Sequence, residues 1–259
     1  MIASRMTAGM ILIACAVGAL CGCRAKPAPD SGYLQNPQLM KADKNIPYNR
    51  MYINPRFKDV QYNEIYVAPV NTDYVLAENI WEKATVAHVS KEDVKKNVQM
   101  LADYQRSAFI KACQNDPKKH FRVVDTPGPN TLILEMALVQ LVPSKAELQA
   151  LGLVPVGFVG LGVTAVEIGA SAATNSEDQG KGVVAMEARG RDGKSGEVCF
   201  MFADREHPPA AIVDIKALFW WEPAKPICDG WARQFVELSN DPERKKKIAE
   251  IPNFQLLVW

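Results

Sequence analysis

The residue types that most often carry out chemistry are few in this sequence, and their spacing does not bring them together. The three histidines, His88, His120 and His207, are isolated from one another, and none forms a His-x-x-x-His metal-binding pair. No Gly-x-Ser-x-Gly turn surrounds a serine. Ala188 stands where a phosphate-binding loop ending at Ser195 would need its first glycine. The sequence therefore predicts no enzyme, no cofactor and no metal site.

Cys23 is the side chain with the most informative surroundings. Arg5 gives a positively charged start, and Met6 to Leu20 form an apolar run interrupted only by small residues. The run is shorter than the roughly 20 apolar residues that a bilayer-spanning helix needs, but it suits the apolar region of an export signal. The small Gly22 lies directly before Cys23, as a lipoprotein signal peptidase requires at its cleavage point.

The segment Leu20-Cys21-Gly22-Cys23 closely resembles the bacterial lipobox. The resemblance implies that residues 1–22 are a signal peptide, that the Cys23 thiol receives a diacylglycerol, and that the new amino terminus is acylated with a fatty acid such as palmitate. Arg24 replaces the aspartate that retains lipoproteins at the inner membrane, so we expect a lipid anchor in the outer membrane, on its periplasmic face. An ordinary signal or a buried helix is the alternative.

The charge balance argues against a nucleic-acid partner. The formal net charge is +1, and it falls to 0 when residues 1–22, which contain Arg5, are removed. No strong field remains to attract a polyanion. The one basic run, Arg244 to Lys247, lies between Glu243 and Glu250 and is typical of a solvated helix face.

Composition divides the mature chain into three parts. Residues 23–59 are polar and hold five prolines, which predicts a lipidated cysteine followed by an extended tether whose later half wraps on the fold. Residues 60–240 are enough for one α+β domain with its own core in the periplasm. Residues 241–259 are expected to form a basic helix and a tail.

Hydrophobic periodicity predicts the elements of the domain. Strands are expected at residues 64–70, 121–125, 131–142, 183–192 and 197–203. The strands at 121–125 and 131–142 are joined by a turn rich in proline and glycine. The strands at 183–192 and 197–203 form a hairpin. Ser90 and Asp93 form a capping box for an amphipathic helix ending near Cys113 or Asn115. A last helix carries Trp231, Phe235 and Leu238 on one face. Helices on one side of a mostly antiparallel sheet define the α+β class.

Four segments carry a family resemblance: Gly32 to Leu34, Tyr66 to Val70, Phe121 to Pro129 and Asp192 to Glu197. They are similar to the bacterial lipoproteins of domain-of-unknown-function 3313, with coverage from about Ser31 to Asn240. The Pro-Gly-Pro turn and the Asp-x-x-Ser-Gly-Glu hairpin are the most specific motifs. On topology alone, the strand order is also similar to the periplasmic domain of the curli secretion channel and to the amino-terminal domain of the Tol-system propeller protein. Neither resemblance implies a catalytic residue.

Three cysteines remain in the mature chain besides Cys23, namely Cys113, Cys199 and Cys228. Because three is an odd number, at least one of them stays free or pairs between chains. An oxidising periplasm would permit a bridge between Cys199 and Cys228, but the spacing does not require one. Buried thiols acting as small hydrophobic side chains are the other interpretation.

An apolar, glycine-rich insertion at residues 151–174 and an aromatic cluster at 219–221 are the candidate contact surfaces. From Leu151 to Ala173 the only charge is Glu167. The insertion is predicted to be a flap on the sheet or a contact with a neighbouring subunit, with a membrane helix or a lipid-facing hairpin as alternatives. The partner-binding residues proposed from these segments are Phe158, Leu161, Val163, Trp220 and Trp221. For the aromatic cluster, filling of the core is the other interpretation, and it is the favoured one.

The leading hypothesis is a non-enzymatic binding or assembly module of the cell envelope that contacts other proteins or copies of itself. The alternative is a subunit of an oligomeric outer-membrane export or transport assembly. A binder of small ligands, or an enzyme acting on envelope material, is the third hypothesis.

Replacing Cys23 tests the anchor. We expect Cys23→Ala to abolish incorporation of labelled palmitate and to release the protein from membranes during a carbonate wash. Cys15→Ala is the matched control, because the apolar run upstream of Cys15 is too short for a signal, and this variant should keep its lipid. A Cys23→Ala protein that stays with the membranes would contradict lipidation at this residue.

Overall fold

The structure is a computed structural model that describes residues 25–76, 90–142, 182–208, 210–211, 221–241, 248–251 and 254–255. Its elements, in chain order, are β1 Arg50–Ile53, β2 Glu64–Val67, α1 Asp73–Leu76, α2 Lys91–Gln114, β3 Arg122–Val123, β4 Thr131–Val142, β5 Val183–Asp192, β6 Val198–Glu206, β7 Ala210–Ala211, α3 Lys225–Ser239 and β8 Phe254–Gln255. Among the described helices, none has both the length and the apolar composition that a membrane crossing needs.

Six strands form one mixed sheet in the order β1-β6-β5-β4-β2-β3. The long central strands β4, β5 and β6 pair antiparallel, and β1 adds to β6 in the same sense. On the other side, β2 runs parallel to both β4 and β3. The predicted α+β class is confirmed, and the hairpin of β5 and β6 lies where the sequence places it.

The predicted pairing of the segments 121–125 and 131–142 differs from the structure. Both strands pair with β2, which lies between them, so the turn at residues 126–130 crosses the start of β2 instead of closing a hairpin. The sheet is therefore mixed, and not as uniformly antiparallel as expected. The physical reason is that β2, with buried Ile65 and Val67, takes the place beside β4 and leaves the two-residue strand β3 at the edge of the sheet.

The two long helices cover one face of the sheet, as expected. Helix α2 begins at the predicted cap, where the Asp93 amide donates to the Ser90 hydroxyl at 3.0 Å. Its buried residues recur at three- and four-residue spacing, and α3 buries Trp231, Phe235 and Leu238 on one face. The two helices pack against each other and against the central strands, so the main core lies on this side.

The opposite face is covered by the amino-terminal segment, and the wrapping predicted for its later half is present at Leu34 and Tyr52. The earlier half lies on the sheet as well, through Ala28, so the extended tether predicted there is wrong. Leu34 and Met40 are buried against Met201 and Ala203 of β6. Strand β1 also lies within the segment assigned to the tether, so the folded domain begins well before residue 60. Apolar side chains spaced among the prolines give this segment enough buried surface to stay on the sheet.

Asp204 is a buried carboxylate on β6 that joins three parts of the chain. Its oxygens accept from the Trp231 indole of α3 at 2.7 Å and from the Asn49 backbone amide at 2.7 Å. The Asn49 side chain accepts in turn from the Arg205 amide at 2.9 Å. Next to it, the Tyr48 ring stacks on Phe202 with centroids 4.1 Å apart.

The carboxyl-terminal tail and the cysteines lie close to this core. Ile251 of the tail packs so close to α3 that a Cβ on Gly230 would be 2.5 Å from its Cγ1 atom. The basic helix predicted around Arg244 to Lys247 falls largely outside the described residues. Cys113, Cys199 and Cys228 are buried free thiols, so Cys199 and Cys228 do not pair.

A glycine pair tests the turn between β5 and β6. A Cβ on Gly193 would be 2.2 Å from the Gly128 carbonyl oxygen and 2.7 Å from that of Thr131, both of them backbone atoms. We expect Gly193→Ala to lower the free energy of unfolding by about 1–3 kcal/mol, as overpacking does. In Gly128→Ala the new methyl group would meet only the Thr131 hydroxyl oxygen, at 3.7 Å, so this control should be almost neutral. Urea unfolding followed by circular dichroism measures both, and equal midpoints would contradict the close approach.

Candidate binding cleft

An open cleft of about 1330 Å³ lies at the end of the sheet that carries the β5–β6 turn. Its walls come from five parts of the chain: residues 43–62, the loop 118–121, the start of β4 at Leu132, the start of β6 and the end of α3. We call this the aromatic cleft, after its lining residues Tyr48, Phe57, Tyr62, Phe121, Phe200, Phe202 and Phe235. It opens on the helix side of the sheet.

Phe235 of α3 is the centre of the cleft floor. Its ring lies nearly parallel to that of Phe121, with centroids 6.1 Å apart and planes inclined by 14°. The rings of Phe200 and Phe202 lie 6.3 and 6.4 Å from it. The alternation of β6 turns both of these rings toward the helices, and the helical period of α3 places Phe235 opposite them. Phe202 is fully buried, and Phe121 and Phe235 are buried too, so these rings form a packed base beneath the cleft. The aromatic side chains that the cleft partly exposes are Phe57, Tyr62 and Phe200.

Gly190 explains the position of the Phe200 ring. The two residues are cross-strand partners on β5 and β6, and a Cβ on Gly190 would lie 2.3 Å from the ring carbon Cε1 of Phe200. The absence of a side chain lets the ring lie across the neighbouring strand. An irregularity in the pairing directly after Gly190 adds one residue to β6 at Cys199. The Cys199 side chain consequently lines the cleft together with Phe200.

The rim of the cleft is polar but carries no dominant charge. Asp43 and Asp59 stand at the rim with Lys58 and Lys118. Between them Val60 exposes 46 % of its surface, which makes it one of three exposed large hydrophobic side chains in the described part of the chain. The cleft thus combines an apolar floor with a rim of mixed charge.

A buried carboxylate holds the loop at residues 116–121 against the end of α3. Asp116 accepts from the backbone amides of Lys118 and His120 at 3.1 and 3.0 Å and from the Asn240 side chain at 2.9 Å. Burial raises the pKa of Asp116, but these hydrogen bonds outweigh it and the net pKa lies below the usual range. Burial lowers the pKa of His120, so this imidazole is neutral at pH 7.

Cys199 and Tyr62 form a polar contact in the wall of the cleft. The Tyr62 hydroxyl lies 3.3 Å from the Cys199 sulfur and donates to Asp192 at 3.0 Å. Burial raises the pKa of Cys199 to about 11, so the thiol is protonated at neutral pH and is a poor nucleophile. Within the described residues, no group of three or more metal-ligating side chains is assembled. The geometry of the cleft is suited to binding apolar groups.

The residues predicted for partner binding lie elsewhere or outside the described chain. Cys23, Phe158, Leu161, Val163 and Trp220 are not among the described residues. Trp221 is only 4 % exposed, its indole donates to Asn97 at 3.2 Å, and the Lys225 ammonium lies 4.8 Å from its ring centroid. Trp221 therefore packs as a core residue, and the surface role predicted for it is wrong for this chain.

The cleft residues were missed as a site because they form no local motif. Phe121, Phe200 and Phe235 lie on a loop, a strand and a helix that are far apart in sequence. The one usable signal was the repeat of aromatic residues on one face of β6, at Phe200 and Phe202. Of the histidines, His120 lines the cleft, His207 contacts the Gly182 carbonyl at 2.9 Å, and His88 is outside the described residues. The two described histidines, His120 and His207, therefore lie at different places in the fold.

The chain belongs to the family described as protein of unknown function DUF3313, whose model matches residues 29–235. This confirms the resemblance expected from the sequence. Comparison with curated proteins gives no significant match.

Two solved structures are distantly similar to the chain. One is a PelC dodecamer from Paraburkholderia phytofirmans, 10 % identical, with a TM-score of 0.34, covering 76 % of this chain and 96 % of that chain. The second is a single-residue variant of PelC from the same organism, also a dodecamer and 10 % identical, with a TM-score of 0.31 and coverage of 70 % and 88 %. Similarity at this level does not indicate a shared function.

The pKa of Cys199 gives a pH-dependent prediction. With a pKa of about 11, the folded thiol should hold roughly a hundredfold less thiolate at pH 8 than an unperturbed cysteine. We expect its alkylation by iodoacetamide to be slow at pH 8 and to accelerate steadily toward pH 11, as followed by mass spectrometry of the Cys199 peptide. The same peptide in urea is the control and should react quickly at pH 8. A rate in the folded protein that levels off near pH 9 would contradict the raised pKa.

Proposed function

We propose that this protein is a lipoprotein anchored through Cys23 in the bacterial outer membrane, and that its periplasmic domain binds another polypeptide in the aromatic cleft without catalysing a reaction. The anchor is supported by the apolar run, by Gly22 and by Arg24 at the sorting position. Two or more acyl chains on one cysteine would give stable membrane residence, which a single chain does not.

The observation that carries the binding role is the concave wall with the partly exposed aromatic side chains of Phe57, Tyr62 and Phe200, held over the packed rings around Phe235. Clusters of aromatic side chains in a concave surface are typical of the centres of protein interfaces, where a few anchors provide most of the binding energy. The cleft, at about 1330 Å³, is larger than the sites of roughly 300–1,000 Å³ that enclose small molecules. It is also open, so a protruding segment of a folded partner can enter it.

The rim favours a polypeptide over a polyanion. Two acidic and two basic side chains, Asp43, Asp59, Lys58 and Lys118, are placed around the opening. A phosphate-rich or nucleic-acid ligand would require one sign of charge, and the mature chain has no net charge. Mixed charges around an apolar centre are instead the usual composition of a protein interface.

Non-enzymatic action is supported by the chemical state of the titratable groups at the cleft. The Cys199 thiol is held protonated by burial, and Tyr62 and Asp192 are engaged in hydrogen bonds with their neighbours. Neither arrangement supplies an activated nucleophile with a base beside it. A second copy of the chain is one polypeptide that could occupy the cleft, and the apolar insertion with Phe158, Leu161 and Val163 stays proposed as a contact in such an assembly.

Photocrosslinking from two exposed positions tests the cleft. A benzophenone amino acid is placed at Val60, which lines the cleft, or at Met100 on α2, which is similarly exposed but lies outside it. In living cells of the source organism, we expect a discrete protein adduct from position 60 and none from position 100. An adduct of twice the chain mass would identify a second copy as the partner.

A second substitution makes the crosslinking result specific. Phe57 is half-buried in the cleft wall, so Phe57→Ala removes aromatic surface there without opening the main core. Loss of an anchor worth about 1.4 kcal/mol would lower the yield from position 60 roughly tenfold. No protein adduct at position 60, or equal adducts from both positions, would overturn the proposed binding role.

A further inference from the structure

The beginning of the described chain is fixed on the sheet from Lys26 onward. Ala25 is 5 % exposed. The Lys26 carbonyl accepts from the Arg205 guanidinium at 3.2 Å, at the end of β6. Ala28 packs against the small side chains on this face of β4 and β5. No free linker therefore separates Ala25 from the folded domain.

From Lys26 the chain follows β5 toward the β5–β6 turn. The amide and hydroxyl of Ser31 donate to Glu187 at 3.2 and 2.7 Å. Two residues later, the Tyr33 ring lies 4.8 Å from the Arg189 guanidinium, which also donates to the Tyr33 carbonyl at 3.3 Å. Since Glu187 and Arg189 are successive residues on one face of β5, the segment enters the domain at the end of the sheet where β5 begins.

We infer that this end of the sheet, where β6 ends and β5 begins, faces the lipid bilayer, and that the aromatic cleft faces away from it. Cys23 is two residues before Ala25, so their Cα atoms are at most about 8 Å apart. Acyl chains on Cys23 would thus hold this end against the membrane surface. The inference rests on the lipid anchor proposed above, and it adds the orientation of the domain.

The two ends of the sheet are separated by the length of β5. Its ten residues from Val183 to Asp192 span about 30 Å at the usual rise of a strand. Val142 and Val183 are partners at the bilayer end, so the connection that contains Leu151 to Ala173 starts and finishes there. The cleft residues Leu132, Cys199 and Phe200 belong to the other end. The cleft is therefore held in the aqueous space, where a partner can reach it.

Energy transfer to the membrane tests the orientation. The full lipidated protein carries a fluorescent amino acid at Pro208, which follows β6 at the bilayer end, or at Lys194, which is exposed in the β5–β6 turn. It is reconstituted in vesicles of phosphatidylethanolamine and phosphatidylglycerol that contain an acceptor dye on the headgroups. Because the positions differ by about 30 Å in height, we expect at least about threefold more efficient transfer from Pro208 than from Lys194.

A linker insertion distinguishes fixed orientation from simple proximity. Ten glycine and serine residues inserted between Arg24 and Ala25 would add a flexible reach of about 18 Å. We expect this variant to remain on the vesicles while transfer from the two positions becomes similar. Equal transfer in the protein without the linker, or greater transfer from Lys194, would overturn the orientation but leave the anchor intact. Vesicle binding that is unaffected by Cys23→Ala would instead overturn the anchor itself.

Discussion

The buried carboxylate of Asp204 is the contact on which the arrangement of the domain depends. Burying a charge is costly unless hydrogen bonds replace its lost water, and both oxygens of Asp204 accept short bonds from buried donors. One donor is on α3 and the other precedes β1, so the carboxylate fixes the helix layer and the amino-terminal segment on the same strand. Burial of apolar side chains favours any compact arrangement. These directional hydrogen bonds instead select one relative position of β6, α3 and the amino-terminal segment.

The two faces of the sheet are stabilised in different ways. On the helix face, aliphatic and aromatic side chains form one continuous core. On the other face, the Glu135 carboxylate of β4 lies 2.5 Å from the guanidinium of Arg189 and 2.9 Å from that of Arg191, both on β5. These three side chains are only partly buried. They form charge pairs between two neighbouring strands, which stabilise the pairing of β4 with β5. Because Arg189 also binds the Tyr33 carbonyl, the charged cluster holds the amino-terminal segment in place.

Local patterns were sufficient to predict much of the fold, and long-range pairing was the main source of error. The capping box at Ser90, the period of α3 and the β5–β6 hairpin depend on neighbours in sequence, and all three are confirmed. Strand β1 pairs with β6 across about 150 residues, and its polar, proline-containing surroundings gave the pattern of a linker. The position of β2 between β3 and β4 likewise depends on competition among strands, which periodicity does not report. Periodicity did not reveal the aromatic cleft for the same reason, because five segments that are far apart in the sequence build it.

Under the proposed function, the topology places membrane attachment and partner binding at opposite ends of the sheet. The segment that begins at Ala25 crosses the face of the sheet opposite the helices and then supplies residues 43–62, one wall of the cleft at the far end. If the protein is anchored and binds as proposed, one stretch of chain connects the anchor to the binding surface. Its contacts with Glu187, Arg189 and Asp204 hold this stretch on the domain. A long flexible tether would let the domain rotate freely relative to the membrane. Binding of a partner fixed in the membrane would then cost the free energy of stopping that rotation. The amino-terminal segment, bound along the sheet, already restricts the rotation of the domain. A partner at the membrane would therefore meet a cleft held at a defined height and in a defined direction.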